Sequence, residues 1–351
     1  MSTSVSCRGD AAHSSTDEHT WSHLIQSKTF ARYDSSSRTG SLASLALELL
    51  DEQKASWPQL AAGYASLTSV RTRELRCDGY SVWLQFNPGR IVSTGAKVDE
   101  QSIRERRCFL CVEHLPRQQK GILYNDEFLV LCNPAPIFTD HFTVSHVRHL
   151  PQSFEASAGT MLEIARAFRS RFTLFYNGPK CGASAPDHMH FQACPRGIIP
   201  VERTAQEEAR RQHRRNVRGV DVFTLARFGR QVIVFESAQR AVLEQLLLSL
   251  VSALRSIIGT SEEPMLNILC GFNEGDWRVI VFPRSKHRPD VYFKDGADRV
   301  LISPAAVDIG GLIVTPLEKD FNNVNASLVE SIFKEVSVAP AVVDGAIESL
   351  S

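Results

Sequence analysis

The chain has 351 residues, 43% apolar and 22% charged, a globular composition with room for one large or two ordinary domains. Its 39 basic and 39 acidic side chains cancel. No global field draws it to nucleic acid or to a membrane, so any anionic ligand must be held by a local cluster.

The first ten residues, MSTSVSCRGD, lack the apolar segment of a secretory signal. Residues 1 to about 40 are rich in Ser, Thr, His and Asp without a sustained apolar period, which predicts a mostly disordered tail. Residues 42–67 carry apolar side chains at helical spacing, broken at Pro58, and predict two short helices. Residues 41–79 therefore read as a helical lead-in. Residues 80–86 alternate as a strand, Asn87-Pro88-Gly89 turns the chain, and 90–94 continues it. Two further strands are expected at 128–132 and 142–145, with Asn133-Pro134-Ala135-Pro136 as the turn between them. A helix follows at 157–172, with Ser157 as a possible N-cap. Strands at 174–177 and 188–194 frame a Gly/Pro-rich loop.

The stretch 202–218 is highly charged and holds Arg210, Arg211, Arg214, Arg215 and Arg218. It reads as a solvated helix or connector, or as a shield for substrate phosphates. A strand at 231–236, a helix at 244–257 and strands at 266–272 and 277–282 then loosely repeat the earlier order, with no clear sequence repeat. The most apolar run, 241–258, contains Glu244, Gln245 and Arg255, which suits an amphipathic helix better than a membrane span. The fold class expected is α+β, antiparallel sheets with flanking helices.

The most informative stretch is His188-Met189-His190-Phe191-Gln192 with its lead-in, residues 177–187. Side chains two apart on a strand share a face, so His188, His190 and Gln192 are expected in line. Two imidazoles and an amide beside an N–H-rich loop suit chemistry at phosphorus: one imidazole attacks, and amide and loop hold phosphoryl oxygens. Two structural histidines on a half-buried strand are the plainer alternative. Cys108-Phe109-Leu110-Cys111 has the spacing of half a zinc site. A redox pair is its rival, though no thioredoxin-like βαβ pattern surrounds it. Eight cysteines in a chain this long point to reduced thiols in the cytoplasm.

The HMHFQ stretch and its NGPKCGAS lead-in resemble the histidine-triad superfamily, and its transferase branch in particular. That branch includes galactose-1-phosphate uridylyltransferase, diadenosine tetraphosphate phosphorylase and GDP-hexose phosphorylase. The resemblance covers roughly residues 82–323. The hydrolase branch carries a third His where this chain has Gln192, and Met189 departs from the Pro usual in the uridylyltransferases. The resemblance implies two histidine-triad-like halves: a catalytic one at 80–205 with a metal site, and a degenerate one at 206–340. The 303–312 stretch is similar to the second half of the GDP-hexose phosphorylases and has no catalytic motif of its own.

The resemblance also implies the site. His190 would be the nucleophile and Gln192 the residue that steadies a nucleotidyl-histidine. The donor would be a nucleotide sugar or dinucleoside polyphosphate, and the acceptor phosphate or a sugar phosphate. Cys108, Cys111, His149 and His188 would hold zinc, or iron in its place; His141 and His146 are the alternatives to His149. Gly182, Ser184, Asn177 and Arg90 are expected at the phosphates. Lys180 and Lys286 are further phosphate contacts or else surface side chains. A homodimer is common in such relatives. A non-catalytic nucleotide-binding or sensing protein of the same fold is the competing reading.

Overall fold

The computed structural model describes residues 15–37, 40–95 and 98–351. In chain order the first part runs α1 (Ser15–Lys28), β1 (Thr29–Tyr33), α2 (Leu42–Ser56), α3 (Pro58–Ala65), β2 (Arg71–Arg76), β3 (Ser81–Phe86), α4 (Ile91–Thr94) and α5 (Glu100–Glu105). Next come β4 (Gly121–Tyr124), β5 (Phe128–Cys132), β6 (Phe142–His146), α6 (Ala158–Phe168), β7 (Phe172–Asn177) and β8 (His190–Pro195). The remainder is α7 (Pro200–Thr204), β9 (Arg211–Val217), β10 (Val220–Leu225), β11 (Ile233–Ser237), α8 (Arg240–Ile258), β12 (Leu266–Asn273) and β13 (Asp276–Pro283). It ends with α9 (Ala306–Ile309), β14 (Leu312–Thr315), α10 (Glu318–Asn323), α11 (Ala326–Val336) and α12 (Pro340–Glu348). The architecture is α+β, as expected.

One 11-stranded sheet carries the molecule, in the order β1-β4-β5-β6-β8-β7-β12-β13-β11-β10-β9. Within it lies a repeat. β4, β5, β6, helix α6, β7, β8 assemble as β4-β5-β6-β8-β7, and β9, β10, β11, helix α8, β12, β13 assemble as β9-β10-β11-β13-β12. The pairings inside both units are antiparallel, and the units join through antiparallel β7 and β12 with Asn177 opposite Asn267. The topology is kept while the side chains have diverged. β13 stands where β8 stands in the first unit, and its Ile280 and Phe282 are buried apolar groups on the face that carries His190 and Gln192 on β8.

Alternation along the strands sorts the two faces. Leu174, Tyr176, Phe191, Ala193, Ile268 and Val281 point to the face covered by α2, α6, α8 and α12. Helix α8 is long and apolar enough to suit a membrane by composition. Here it packs on β11, α6 and α12, burying Leu243, Leu246, Leu247, Leu250, Val251 and Leu254, so its apolar stripe is core. The opposite face is covered by a second sheet, β14-β3-β2, with α9 to α11. That roof joins β3 from the first part to β14 from the last, in parallel.

Several expectations are corrected. Part of the tail is ordered: α1 leads into β1, which pairs parallel with β4, while residues 1–14 lie outside the described residues. The lead-in is not all helical, since 71–76 form β2. Residues 91–94 turn as a helix rather than extending the strand. The charged stretch is neither helix nor loop alone: 211–217 form the edge strand β9, where arginines discourage pairing with another chain. Ser157 sits at the N-cap of α6 without a side-chain cap bond; its hydroxyl donates instead to the Ser153 carbonyl.

Candidate functional site

β8 begins at His190, so His188 falls just before the strand. The three side chains of the motif therefore do not line up as expected. His188 turns to the C-x-x-C segment, while His190 and Gln192 occupy alternate strand positions. The two histidines acquire separate tasks.

Each tautomer follows from its partners. His190 Nδ1 lies 2.8 Å from the His188 carbonyl, so Nδ1 carries the proton and donates. Its Nε2 keeps a lone pair with no protein partner among the described residues. Burial holds this imidazole down at about 4, uncharged at neutral pH. Gln152 fixes the strand start: its Oε1 accepts from His190 N at 2.8 Å, and its Nε2 donates to the His190 and Asn177 carbonyls at 3.0 Å each. An amide side chain thus bridges β7 and β8 where their ladder ends. Nothing in the sequence marks Gln152.

Gln192 is oriented the same way. His141 Nδ1 accepts from Ile137 N at 3.2 Å, so its proton is on Nε2, which donates to Gln192 Oε1 at 2.9 Å. The Gln192 oxygen is thereby committed, and its NH₂ end is left for the cavity it lines. Burial, with Arg90 nearby, lowers His141 to about 3, which keeps it in this neutral tautomer. His141 is a support for Gln192, not a metal ligand.

The cavity lies between the main sheet and the roof and encloses about 70 Å³. β7 and β8 supply Asn177 and Gln192, and the loop between them supplies Gly182, Ala183 and Ser184. The roof supplies Arg90, and the last third of the chain supplies His287, Arg288, Ser303 and Asp308. Gly182 has φ +97, and a Cβ there would stand 2.7 Å from Ala305 Cβ, so the loop can approach that segment only as glycine. His190, 4% exposed, is not part of the lining. Burial raises Asp308 to about 6, against hydrogen bonds from Ala305 and Val314 N–H and the charge of Arg90. Burial likewise lowers Arg90 to about 10 and His287 to about 4.

Two expected contacts lie elsewhere. Lys180 points away on the outer side of the loop and pairs with Glu262. Lys286 pairs with Asp290 and Glu335; its neighbours His287 and Arg288 face the cavity instead. The basic cluster was visible in the sequence, but not which member turns inward.

The four expected metal ligands do come together: Cys108, Cys111, His149 and His188 present donor atoms all within 4.8 Å of one another. The Sγ–Nδ1 separations are 3.3 Å (Cys108–His188), 3.1 Å (Cys111–His149) and 3.7 Å (Cys111–His188). A tetrahedral centre with bonds of about 2.3 Å to sulfur and about 2.0 Å to nitrogen has S···N edges of about 3.5 Å, so the set fits such an ion. His188 Nε2 donates to the His146 carbonyl at 2.8 Å, leaving Nδ1 as the ligand. Asp187 sits behind His149 at 3.8 Å and is held by Arg106. His146 bonds only to Arg148 backbone atoms through its ring and stays outside the cluster.

With this geometry in place, the chain can be set beside known proteins. Residues 200–341 match the family "GDPGP1-like, C-terminal domain", and residues 49–195 match a domain of unknown function, DUF4922. The structure is similar to that of yeast Ap4A phosphorylase Apa2, with a TM-score of 0.53 at 16% identity, over 80% of this chain and 93% of that one. It is similar also to Apa2 in complex with AMP and with Ap4A, each with a TM-score of 0.52 at 15% identity, over 80% of this chain and 95% and 96% of those chains. The fold is that of yeast Ap4A phosphorylase Apa2. No curated protein matches the chain.

Proposed function

We propose that this protein is a nucleotidyltransferase of the phosphorylase kind. Its donor is a nucleotide sugar or a dinucleoside polyphosphate, and its acceptor is phosphate or a sugar phosphate. The observation that carries the reading is the His190 ring: Nδ1 donates to a main-chain carbonyl, Nε2 is unpartnered, and the neighbouring amide of Gln192 is turned by His141 to present its N–H groups.

In the first step the Nε2 lone pair attacks the α-phosphorus. The N–P bond forms, the P–O bond to the leaving phosphate breaks, and that phosphate departs with the electron pair. The His188 carbonyl steadies the positive charge that develops on the ring through Nδ1–H. Gln192 N–H donates to a non-bridging oxygen as its charge grows. In the second step an acceptor phosphate oxygen attacks the same phosphorus and His190 leaves as a neutral imidazole. Arg90 and Arg288 supply the positive charge, and Ser184, Gly182 and Asn177 the shorter-range donors. A cavity of about 70 Å³ is smaller than the several hundred Å³ typical of ligand sites (about 300–1,000), so the 178–187 loop and the roof move apart to admit a nucleotide.

Zinc is the ion that the donor set suits best, with iron the second choice. Cys108, Cys111, His149 and His188 would hold it in a closed, structural role. Bound there it would anchor His188, whose carbonyl orients His190.

The test is intact mass after mixing with GDP-mannose, UDP-glucose, ADP-glucose and diadenosine tetraphosphate separately, without acceptor, quenched at neutral or alkaline pH. A nucleoside monophosphate adduct is expected, absent in His190→Ala, and its mass names the base. Nucleotide binding without an adduct from any donor would overturn the transferase reading and favour a nucleotide sensor.

A further inference from the structure

Arg284 is 1% exposed and makes no salt bridge among the described residues. Its guanidinium donates only to neutral oxygens: the carbonyls of Val336, Pro304, Lys286 and His287, and Asn267 Oδ1. A buried cation without a counter-ion is costly, and natural cores rarely keep one unless something else uses its field.

Its hydrogen bonds lead toward the cavity. Asn267, fully buried on β12, accepts at Oδ1 from Arg284 and from the Cys181 thiol at 3.3 Å. Its Nδ2 donates to Asn177 Oδ1 at 2.9 Å and to the Cys181 carbonyl at 2.7 Å. Asn177 Oδ1 takes a second bond from Ala306 N at 2.8 Å. Both lone pairs of the Asn177 oxygen are thus used, and its NH₂ is the end left for the cavity that Asn177 lines. The chain runs Arg284 to Asn267 to Asn177 to the cavity. Each link polarises the next in the same sense, since a charge-assisted bond to an amide oxygen strengthens that amide's N–H as a donor.

We infer that the second half contributes to phosphate recognition through this relay. Arg284 and Asn267 are positioning residues that hold the Asn177 amide with its N–H toward the phosphates and tie down the 178–187 loop. The inference rests on the transferase reading. The charge that compensates Arg284 is then the anionic substrate, felt through two amides rather than by contact.

Asn267→Asp tests it. The variant is nearly isosteric and pairs Arg284 with a carboxylate, but it removes both donors. The Asn177 amide then inverts to find a donor of its own for residue 267, and its oxygen faces the cavity. The donor that adducts the wild type is used, with adduct formation followed by rapid quench and mass. The expected result is a rate lowered by about tenfold or more, with bound metal at the wild-type level and a cooperative thermal transition. A double-mutant cycle with Asn177→Ala and Asn267→Ala covers the case in which Asp disturbs folding. Strongly non-additive rate losses are expected, because each change breaks the same relay. A rate within twofold of wild type in Asn267→Asp, or additive losses in the cycle, overturns the inference. A wild type that yields no adduct overturns the transferase reading beneath it.

Discussion

At the scale of single residues, burial gives Asp308, a cavity group, a charge that changes near pH 6. It shares the cavity with Arg90, Arg288 and His287. Burial lowers His287 and His190 to about 4 each, so both stay uncharged above pH 5. Burial raises Asp308 from its ordinary 3.8 to about 6. The folded value exceeds the unfolded one, so the stability linked to this proton is full below the unfolded value and is lost as pH rises through about 6. On the proposed function the same proton would govern anion binding, since a neutral Asp308 no longer repels phosphate. A nucleotide sugar has no ionisation of its own near pH 6, which makes it the clean probe. Between pH 7.5 and 5.5 the Kd of the wild type for GDP-mannose, or whichever nucleotide sugar it binds, should tighten by about threefold to tenfold, on the order of 1 kcal/mol. Titration calorimetry on Asp308→Asn should show no such change; an unaltered slope in that variant assigns the pH dependence elsewhere.

At the scale of elements, the metal cluster and the strand start are one device. His188 offers Nδ1 to the cluster and its carbonyl to His190, so an ion bound there would fix the tautomer and the pose of His190, the proposed nucleophile. The cysteines come from a loop with little regular structure, between α5 and β4, whose shape an ion bound there would hold. Stripping the metal with a strong chelator should lower Tm by about 5 °C or more and slow adduct formation as well, both restored by adding zinc. Loss of stability with an unchanged adduct rate would separate the cluster from the nucleophile. The C-x-x-C spacing was legible in sequence because ligand chemistry restricts residue type, and the two histidines beside it were implied by the family resemblance. The separate roles within H-x-H were implied by the family resemblance, but the turn of His188 away from the His190–Gln192 face was not legible, because strand period says which side chains share a face only once the strand's first residue is known. Here β8 starts at His190, and Gln152 fixes that start from a distant position in the chain.

At the scale of the whole molecule, the first half is not expected to stand alone. β7 is buried along its whole length, and its outer edge is covered by β12. Removing the second half would expose that edge and strip away Arg288, Ser303, Asp308 and the relay through Asn267. A chain ending at residue 199 should therefore be recovered as aggregate rather than as a folded, nucleotide-binding domain; a soluble monomer with a cooperative thermal transition would show that the halves are independent. What the sequence by itself determined was motif and local form: the histidine motif, the C-x-x-C pair, α6 and α8, and most strands of the main sheet. Those follow from residue type and period. Tertiary structure alone decided that the two units join edge to edge in one sheet through β7 and β12, that Lys180 and Lys286 turn outward while Arg288 and Asp308 turn in, and that β3 and β14 meet in one roof. These depend on pairings between residues as much as 230 positions apart. No local pattern encodes such a pairing, because its free energy arises only when both partners are already in place.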